Sequence, residues 1–381
     1  MSDRLAVLIS FSGEGGVERM VLNLVEGFAE RGVACDLLAI RADSAHLGAL
    51  PKGVRFVDLG VRHSGLAVGP LVRYLRRERP QAMLVAKDRA IRAAVLARSL
   101  AGGTGPRIVG RLGTNLSAAL EGRSGLARWL RVAPMRWIYP RVEHVICVSA
   151  GVLADTRTLT GLPAERLSVV RNPVITPRLA VLAAEALDHP WAQVSDPPLI
   201  LGAGRLTEQK DFATLVRAFA RVRAMRPARL VILGDGRQRA LLEGLARELG
   251  VAEDVALPGF TPNPYAWMAR ARLFVLSSAW EGSPNVLTEA LALGVPSVAT
   301  NCPSGPWEIL DQGRWGPLVP VGDDAALAEA MNATLDAPLP ADQLRAAVAQ
   351  YTRDAATDAY LRALGLGADH GTQESPPCSS R

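Results

Sequence analysis

The chain has 381 residues and a formal net charge of +6, and its 49% hydrophobic and 21% charged residues are ordinary for a globular protein. This length predicts two domains, each with its own core. No apolar run reaches the roughly 18 to 20 residues that span a bilayer. The four cysteines are widely separated, which excludes a disulfide framework and a zinc site and favours reduced thiols in a cytoplasmic protein.

The N-terminal half alternates strand-like and helical patterns. Its apolar start continues into Gly13–Gly16 without a small-residue cleavage pattern, so we interpret it as a strand and not as a signal peptide. Apolar residues then recur at helical spacing from Val17 to Phe28. The strands predicted in this half are Leu5–Phe11, Ala34–Ile40, Val54–Leu59, Ala82–Ala86, Arg107–Arg111 and His144–Val148.

The C-terminal half repeats this alternation after a proline-rich break at Pro173–Pro198. Strands alternating with helices predict parallel sheets covered by helices. We therefore expect an α/β fold with two doubly wound halves, whose ligand site lies in the cleft between them. The strands predicted in this half are Leu199–Ala203, Arg229–Leu233, Asp254–Leu257, Leu273–Ser277 and Pro296–Ala299.

These patterns divide the chain into five parts. We predict a first domain over residues 1–180, a linker over 181–197 and a second domain over 198–340. C-terminal helices follow over 341–365, for which a return to the first domain is one option. Residues 366–381 contain almost no apolar side chain and are predicted to be disordered.

Positive charge is concentrated between Arg62 and Arg141, where sixteen Lys or Arg accompany three acidic residues. Such a patch attracts a phospholipid surface, a nucleic acid or a phosphorylated substrate. The alternative is a scattered, solvated Arg-rich surface. No recognised nucleic-acid motif accompanies the patch, so we expect no nucleic-acid partner.

Within this region, Gly125–Tyr139 carries apolar residues in helical register with arginines between them. A basic helix with tryptophans on its apolar side is typical of a membrane interface. Alternatively, Trp129 and Trp137 pack into the core of the first domain. Pro134 predicts a kink or two short helices.

Two segments suit an anionic ligand. Gly15 and Gly16 in the first strand-to-helix turn let backbone amides approach an anion, although such glycines also occur for steric reasons alone. Arg205 and Lys210 follow a predicted strand, where core packing does not explain them. Two cations there suit a diphosphate; the alternative is a solvated turn with incidental charges.

The strongest signal is the segment Trp280–Pro296. Ser283 is predicted to cap a helix whose first turn contains Pro284. Glu281 then lies in the preceding loop, and Glu289 lies just over one turn into the helix. Such carboxylates can accept hydrogen bonds from the paired hydroxyls of a ribose or a sugar, and free amides at the helix start can hold a phosphate. Ordinary ion pairs or helix-dipole contacts are the alternative.

Together these motifs resemble the retaining glycosyltransferases of family 4, which have the GT-B fold of two Rossmann-like domains. They are Gly-Gly-Val-Glu near the start, Gly-Arg-Leu-x3-Lys-Asp from Gly204 and Glu-x7-Glu from Glu281. Gly234-Asp235-Gly236 and Pro258-Gly259-Phe260 also fall at the usual places, and the resemblance covers roughly residues 5 to 360. Asn301–Pro306 resembles a branch of this family that acts in cell-surface polysaccharide assembly.

The resemblance implies a role for each site residue. Arg205 and Lys210 would neutralise the leaving diphosphate, and Glu281 would contact the transferred sugar; we predict these three as catalytic. Glu289 would bind the ribose and Phe260 would lie beside the base. The donor-binding residues implied are Gly15, Gly16, Gly204, Phe260, Gly282, Ser283, Pro284, Asn285, Val286 and Glu289.

The sequence departs from the family at one place. Many members have a histidine in the loop of the first domain that faces the sugar, but the corresponding stretch, Gly110–Asn115, has none. Arg111 and Asn115 are the acceptor-side candidates there, although the role of the histidine does not transfer to them. His144 lies within a predicted strand and is interpreted as structural.

The expected partners follow from this resemblance. The donor is a nucleoside-diphosphate sugar, predicted to be UDP-linked, and the acceptor is a saccharide or a polyprenyl-linked saccharide. We expect no cofactor and no metal, because no Asp-x-Asp stands at a strand end. The predicted location is cytoplasmic, with peripheral binding to the anionic inner face of the plasma membrane as an option. A sugar-nucleotide epimerase of the same fold and a non-catalytic binding or scaffold subunit are the alternative functions.

Overall fold

The computed structural model describes residues 2–12, 16–43, 50–102, 105–193 and 196–366. Two parallel sheets organise these residues. The first sheet consists of β1 (Ser2–Ser12), β2 (Ala34–Asp43), β3 (Val54–Asp58), β4 (Pro80–Ala86), β5 (Arg107–Leu112), β6 (His144–Cys147) and β7 (Leu167–Val169). Its strand order is β3-β2-β1-β4-β5-β6-β7, and every pairing is parallel.

Helices cover both faces of the first sheet, and a separate apolar cluster fills each face. Because both faces are buried, strands such as β1 and β4 are apolar almost throughout and do not alternate with polar residues. The helices of this half are α1 (Gly16–Glu30), α2 (Val68–Glu78), α3 (Asp88–Ala101), α4 (Leu116–Ala119), α5 (Gly125–Ile138) and α6 (Ala150–Thr160).

The second sheet has six strands in the order β10-β9-β8-β11-β12-β13. They are β8 (Leu199–Ala203), β9 (Arg229–Leu233), β10 (Val255–Gly259), β11 (Leu273–Leu276), β12 (Ser297–Thr300) and β13 (Leu318–Val319). Its helices are α7 (Pro177–Ala183), α8 (Phe212–Met225), α9 (Arg239–Glu248), α10 (Tyr265–Met268), α11 (Asn285–Ala292), α12 (Pro306–Ile309), α13 (Asp324–Asp336) and α14 (Ala341–Ala347).

The chain passes between the two halves twice. Val174 and Leu179 already pack in an apolar cluster of the second half, before the predicted boundary at residue 180. The last helix, α15 (Arg353–Leu364), returns to the first half, where Tyr360 is buried in the same cluster as Phe28. Arg353 fixes this return through ion pairs with two glutamates of α1.

The fold class predicted from the sequence, two doubly wound parallel-sheet halves, is confirmed. Strands β7 and β13 were not predicted, because two or three residues at the sheet edge are too short to show a period. Gly15 and the predicted disordered tail beyond residue 366 lie outside the described residues, so neither prediction is tested.

Helix α5 differs from its prediction in two ways. It runs as one helix through Pro134, so of the two predicted options, a kink or two short helices, the second is wrong. Trp129 and Trp137 are 63% and 74% exposed, which excludes their packing into the core. Among the described helices, none combines the length and apolarity needed to cross a membrane.

Candidate active site

The cleft is built from the carboxyl ends of strands in both sheets. On the side of the second half, the turn after β8 carries Gly204, Arg205 and Lys210, and the loop after β11 carries Glu281. These two connections are neighbours because β8 pairs directly with β11. The Glu281 loop hydrogen-bonds to the Lys210 turn through Ala279 N and Gln209 O, 2.8 Å apart.

Lys210 and Glu281 form a partly buried ion pair. Lys210 Nζ lies 2.5 Å from Glu281 Oε1, and the Ser278 hydroxyl donates to the same oxygen at 2.7 Å. Glu281 is 6% exposed, so its charge needs such partners to remain in the protein. Lys210 and Glu281 are 71 positions apart in the sequence, and they meet at one point of the cleft.

Arg205 is in a different situation from Lys210. Its side chain is exposed, and it makes no ion pair or side-chain hydrogen bond within the described part of the chain. The guanidinium is thus an unengaged cation at the carboxyl end of β8. It is available to an anionic ligand without first breaking a contact within these residues.

Glu289 is completely buried in α11. The Tyr265 hydroxyl donates to Glu289 Oε1 at 3.2 Å, and Arg19 Nη1 from the first half lies 3.8 Å from the same oxygen. Arg19 also donates to the Tyr265 hydroxyl at 2.8 Å. The second oxygen, Oε2, is buried without a hydrogen-bond partner among the described residues. A buried carboxylate oxygen in this state is an acceptor prepared for a ligand donor.

Burial and the Glu289 carboxylate together shift the pKa values of Arg19 and Tyr265. The Glu289 charge raises the pKa of Arg19, although burial acts in the opposite direction. Burial raises the pKa of Tyr265, and Glu289 raises it further, so the phenol remains a neutral donor.

Glycines allow the walls of the cleft to approach closely. A Cβ added to Gly282 would lie 2.1 Å from the carbonyl oxygen of Gly113 in the first half. Gly234 has φ of +129°, and a Cβ there would lie 2.0 Å from the Gly204 carbonyl oxygen. Both positions require glycine because backbone, which cannot move aside, occupies the space of a side chain.

Helix α11 begins at Asn285, with Pro284 at the N-cap and no side-chain cap. The prediction that Ser283 caps the helix and Pro284 enters its first turn is therefore wrong by one residue. The backbone geometry explains the shift, since Pro284 is extended, with φ of −71° and ψ of 101°. The first-turn amides of Asn285 and Val286 have no intrahelical partner, as expected for an anion-binding helix start.

The two acceptor-side candidates contact the other half directly or through one residue. Arg111 is 2% exposed and donates to Asn172 Oδ1 at 2.6 Å, and Asn172 donates to Asn285 Oδ1 at 2.7 Å. Asn285 in turn donates to the Gly16 carbonyl oxygen at 3.4 Å. Asn115 Nδ2 donates to Ser304 Oγ at 3.0 Å. Their acceptor roles stay predictions, but these bonds hold the two halves together.

The remaining predicted residues lie at separate places. Phe260 is 42% exposed at the end of β10, two strands from β8. His144 begins β6 and therefore lies at the amino edge of the sheet, opposite the cleft. Its Nε2 lies 2.8 Å from Ser168 Oγ, and burial lowers the pKa of His144. This contact agrees with a structural role.

A second connection between the halves comes from Glu308 in α12. Its carboxylate accepts hydrogen bonds from the amides of Ala150 and Gly151, at 2.9 and 3.0 Å, and lies 2.6 Å from Arg171 Nη1. Although burial acts to raise it, these amides and Arg171 bring the pKa of Glu308 below its ordinary value. We call this arrangement, in which Glu308 joins α12 to the start of α6, the closed form.

Three functional candidates were missed in the sequence: Arg19, Tyr265 and Lys87. Lys87 follows β4 with φ of +76°, and its Nζ donates to the Ser10 carbonyl oxygen at 2.7 Å. Burial lowers the pKa of Lys87, although Glu18, whose Oε1 lies 3.5 Å from Lys87 Nζ, acts to raise it; Arg205 from the other half also lowers it. A charged residue directly after an apolar strand was the detectable signal for Lys87. Arg19 and Tyr265 lie in helices, where nothing in the sequence separates them from other residues.

The residues that the structure describes contain no group of three or more His, Cys, Asp or Glu placed to hold a metal ion. The expectation of a metal-independent enzyme stays a prediction. Among the described residues, the positive groups beside the cleft include Lys87, Arg205 and Lys210.

Comparison with known proteins agrees with this geometry. The profile "Glycosyltransferase Family 4" matches residues 14–178, and the profile "Glycosyl transferases group 1" matches residues 197–337. The lipopolysaccharide core biosynthesis glycosyltransferase LpsE of Rhizobium meliloti is 28% identical over 93% of this chain and 97% of its own length. The N-acetylgalactosamine-N,N'-diacetylbacillosaminyl-diphospho-undecaprenol 4-alpha-N-acetylgalactosaminyltransferase of Campylobacter jejuni is 31% identical over 52% of both chains.

Solved structures share the fold. Anabaena HepE in complex with UDP superposes with a TM-score of 0.73 at 20% identity, over 95% of this chain and 99% of that chain. WaaG, a glycosyltransferase involved in lipopolysaccharide biosynthesis, gives 0.71 at 17% identity, over 96% of this chain and 100% of that chain. The two sheets are thus the two Rossmann-like domains of the GT-B fold. With both domains matched by glycosyltransferase profiles, the chain belongs to family 4 of the glycosyltransferases.

Proposed function

We propose that this glycosyltransferase moves a sugar from a UDP-sugar to a saccharide or lipid-linked saccharide, with retention of configuration, in the biosynthesis of a cell-surface polysaccharide. The observation that carries the donor assignment is the buried Glu289 Oε2, which has no partner within the described residues. A ribose hydroxyl supplies the missing donor. The anomeric outcome rests on the family alone.

The diphosphate half of the donor is the second part of the proposal. Charge builds on the leaving diphosphate during transfer, and preorganised cations and amides lower that barrier. Arg205 is unengaged, Lys210 faces the cleft beside Glu281, and the start of α11 offers amides. We assign these groups the charge stabilisation that a metal ion supplies elsewhere, so no metal is required.

Glu281 is assigned to the transferred sugar. It lies in the loop that approaches Gly113 of the first domain, which places it at the boundary between the two domains. Lys210 and Ser278 already hold one of its oxygens in place. The carboxylate is therefore fixed before the sugar arrives, as a contact at the reacting centre requires.

The relatives suggest the acceptor class. LpsE is named for lipopolysaccharide core biosynthesis, and the name of the Campylobacter relative includes a diphospho-undecaprenol. Together with the exposed Trp129 and Trp137 of α5, these names support a saccharide acceptor at the cytoplasmic face of the membrane.

A donor screen with product analysis tests the function. Purified protein is incubated with UDP-, GDP- and ADP-sugars, with and without saccharide acceptors, and nucleoside diphosphate release is measured. We expect acceptor-dependent release of UDP that persists in excess EDTA. A new sugar nucleotide formed without an acceptor would identify an epimerase, and no turnover with any pair would favour a binding subunit. Release abolished by EDTA would overturn the metal-independent proposal.

The peripheral membrane prediction has its own test. Arg128 is exposed on α5, whereas Arg131 pairs with the buried Asp88 and is unsuitable for substitution. Removing one surface arginine costs about 1 kcal/mol at an anionic membrane, so Arg128→Ala should weaken binding to phosphatidylglycerol vesicles roughly fivefold. Exposed Arg247 on α9 provides the control, since Arg247→Ala should leave binding unchanged. Equal binding by both variants would refute the role of α5.

A further inference from the structure

A cavity of about 540 Å³ lies outside the cleft, along α3 of the first domain. Most of its wall is apolar, formed by α3, by the segment before α2 and by the end of α5. We call it the α3 groove, and its apolar wall includes Gly65, Val68, Ala93, Leu96 and Ile138. Its volume is within the range of ligand pockets in proteins, and the catalytic residues described above do not use it.

Cations surround this apolar groove. Arg89 and Arg141 are exposed at its rim, and Arg89 makes no ion pair or side-chain hydrogen bond within the described part of the chain. Arg92 also lines the groove but is paired with Asp88 at 2.9 Å. Asp88 is 8% exposed and is fully engaged by Arg92, Arg131 and Tyr139. Among the described residues that line the groove, no acid offsets the charge of Arg89.

Exposed apolar side chains belong to the same segments that line the groove. Leu66, Leu96, Leu100 and Trp137 are 64%, 51%, 54% and 74% exposed. Single exposed apolar residues need no explanation, but a cluster beside a groove marks a site that another molecule covers. A hydrocarbon suits the wall and an anion suits the rim, so the occupant combines both.

The position of the groove relates it to the cleft. Helix α3 starts at Asp88, immediately after Lys87, whose Nζ lies 3.5 Å from Glu18 Oε1 and whose pKa is also affected by the charge of Arg205 in the other half. Arg89 belongs to the first turn of α3, so the end of the groove that carries Arg89 is the end nearer the cleft. A lipid whose phosphate meets Arg89 would direct a saccharide on that phosphate towards Lys87.

From these observations we propose that the α3 groove binds the hydrocarbon chain of a phosphate-bearing lipid acceptor, with Arg89 at the phosphate. This inference rests on the proposed glycosyl transfer to a lipid-linked saccharide and assigns the lipid a place on the first domain. It differs from insertion of α5 into a bilayer, because a single lipid molecule in solution is sufficient to occupy the groove.

Dodecyl phosphate below its micellar concentration is the probe, and isothermal titration calorimetry with the full chain is the measurement. Leu96→Glu places a charge at the groove from an exposed position, so folding is preserved, and Ala93→Phe fills the groove. Each should weaken binding at least about tenfold, a difference that calorimetry resolves readily. The matched control is Leu241→Glu on α9, which should bind normally, because Leu241 is 53% exposed and Leu96 is 51% exposed.

Further experiments separate the contribution of the hydrocarbon chain of the probe from that of its phosphate charge. Arg89→Glu should weaken dodecyl phosphate but not dodecyl maltoside, and inorganic phosphate alone should bind far more weakly than dodecyl phosphate. Trp129→Ser should lower vesicle binding while leaving monomeric dodecyl phosphate unaffected. The proposal is overturned if the groove variants bind the probe like the wild type, or if inorganic phosphate binds equally well.

Activity distinguishes this proposal from the proposed function. Leu96→Glu should reduce transfer to a lipid-linked acceptor about tenfold in kcat/KM and leave transfer to the same saccharide without its lipid unchanged. Equal loss on both acceptors would overturn the groove assignment. Absence of transfer by the wild type to either acceptor would contradict the proposed function, whereas the calorimetric result would still decide on the groove. A dimer that Leu96→Glu disrupts, without a change in probe binding, would assign the groove to a second copy of the chain.

Discussion

The two carboxylates of the second domain differ in how completely the protein satisfies them. Glu281 has a lysine and a serine on one oxygen, both from its own domain. Glu289 has a tyrosine at 3.2 Å, a more distant arginine from the first domain, and one oxygen without a partner among the described residues. A carboxylate that is fixed before binding suits orientation at the reacting centre, and one that lacks a donor suits recognition. The difference therefore predicts unequal kinetic effects for the two residues.

The Glu281 side of this comparison predicts the largest effect. Lys210→Ala removes a cation near the leaving diphosphate and leaves Glu281 with Ser278 alone, so kcat should fall by about 10²- to 10³-fold. Steady-state kinetics measure it, with a thermal melt to confirm that the protein is folded. Glu208→Ala in the same turn is the control, because Glu208 is 74% exposed. Wild-type turnover by Lys210→Ala would remove Lys210 from the site.

The Glu289 side predicts a smaller effect that appears in binding. Glu289→Gln keeps the shape but removes the charge, and a hydrogen bond to a charged group contributes about 1.5 to 3 kcal/mol, so the KM for the donor should rise roughly 10- to 100-fold. Glu281→Gln should mainly lower kcat. A donor that lacks the ribose 2′- and 3′-hydroxyls sharpens the test, since wild type and Glu289→Gln should then differ little. A variant that still rejects the deoxy donor as the wild type does would contradict the ribose assignment.

Local sequence order explains why Glu281 and Lys210 were predictable. Both residues follow apolar strands, and the carboxyl ends of parallel strands meet at one edge of the sheet. The apolar pattern of the strands and the positions of the two residues after them were therefore sufficient to predict the site. The same rule covers Lys87, which was overlooked although it directly follows β4.

Other parts of the site depend on tertiary packing. Arg19 meets Glu289 only because the two domains close, across 270 residues of sequence. Arg111 and Arg205 are both basic residues at a strand end. Arg111 is buried and donates a hydrogen bond to Asn172, whereas Arg205 is exposed. Sequence pattern identifies the edge of the sheet, but it does not distinguish a cation that binds ligand from one that holds the domains together.

The contact of Glu289 with the first domain predicts the next effect. Tyr265→Phe removes the hydroxyl that donates to Glu289 and accepts from Arg19. A hydrogen bond contributes about 0.5 to 1.5 kcal/mol net, so the KM for the donor should rise roughly three- to tenfold with kcat nearly unchanged. Steady-state kinetics over a range of donor concentrations measure both values. A fall in kcat without a change in KM would place Tyr265 with Glu281 instead of Glu289.

The smallest effect concerns closure of the two domains. The contact between Arg19 of the first domain and Glu289 of the second depends on this closure. The pKa of Glu308 is lowered in the closed form, so Glu308 favours closure above the ordinary glutamate pKa of about 4.3, and this contribution is lost as pH falls through the lowered value. Loss of the contacts that the Glu308 carboxylate makes with the first domain should change donor affinity only a few-fold.

Fluorescence energy transfer between labels on the two domains measures closure between about pH 6 and pH 3.5. The wild type should open as pH falls, and Glu308→Gln should be more open at pH 6 and respond less to acid. Glu329→Gln on α13 is the control, because Glu329 is exposed and makes no ion pair or side-chain hydrogen bond within the described part of the chain. The same acid response in Glu308→Gln and the wild type would show that another group controls closure, and the comparison of Glu281 with Glu289 would then rest on the donor site alone.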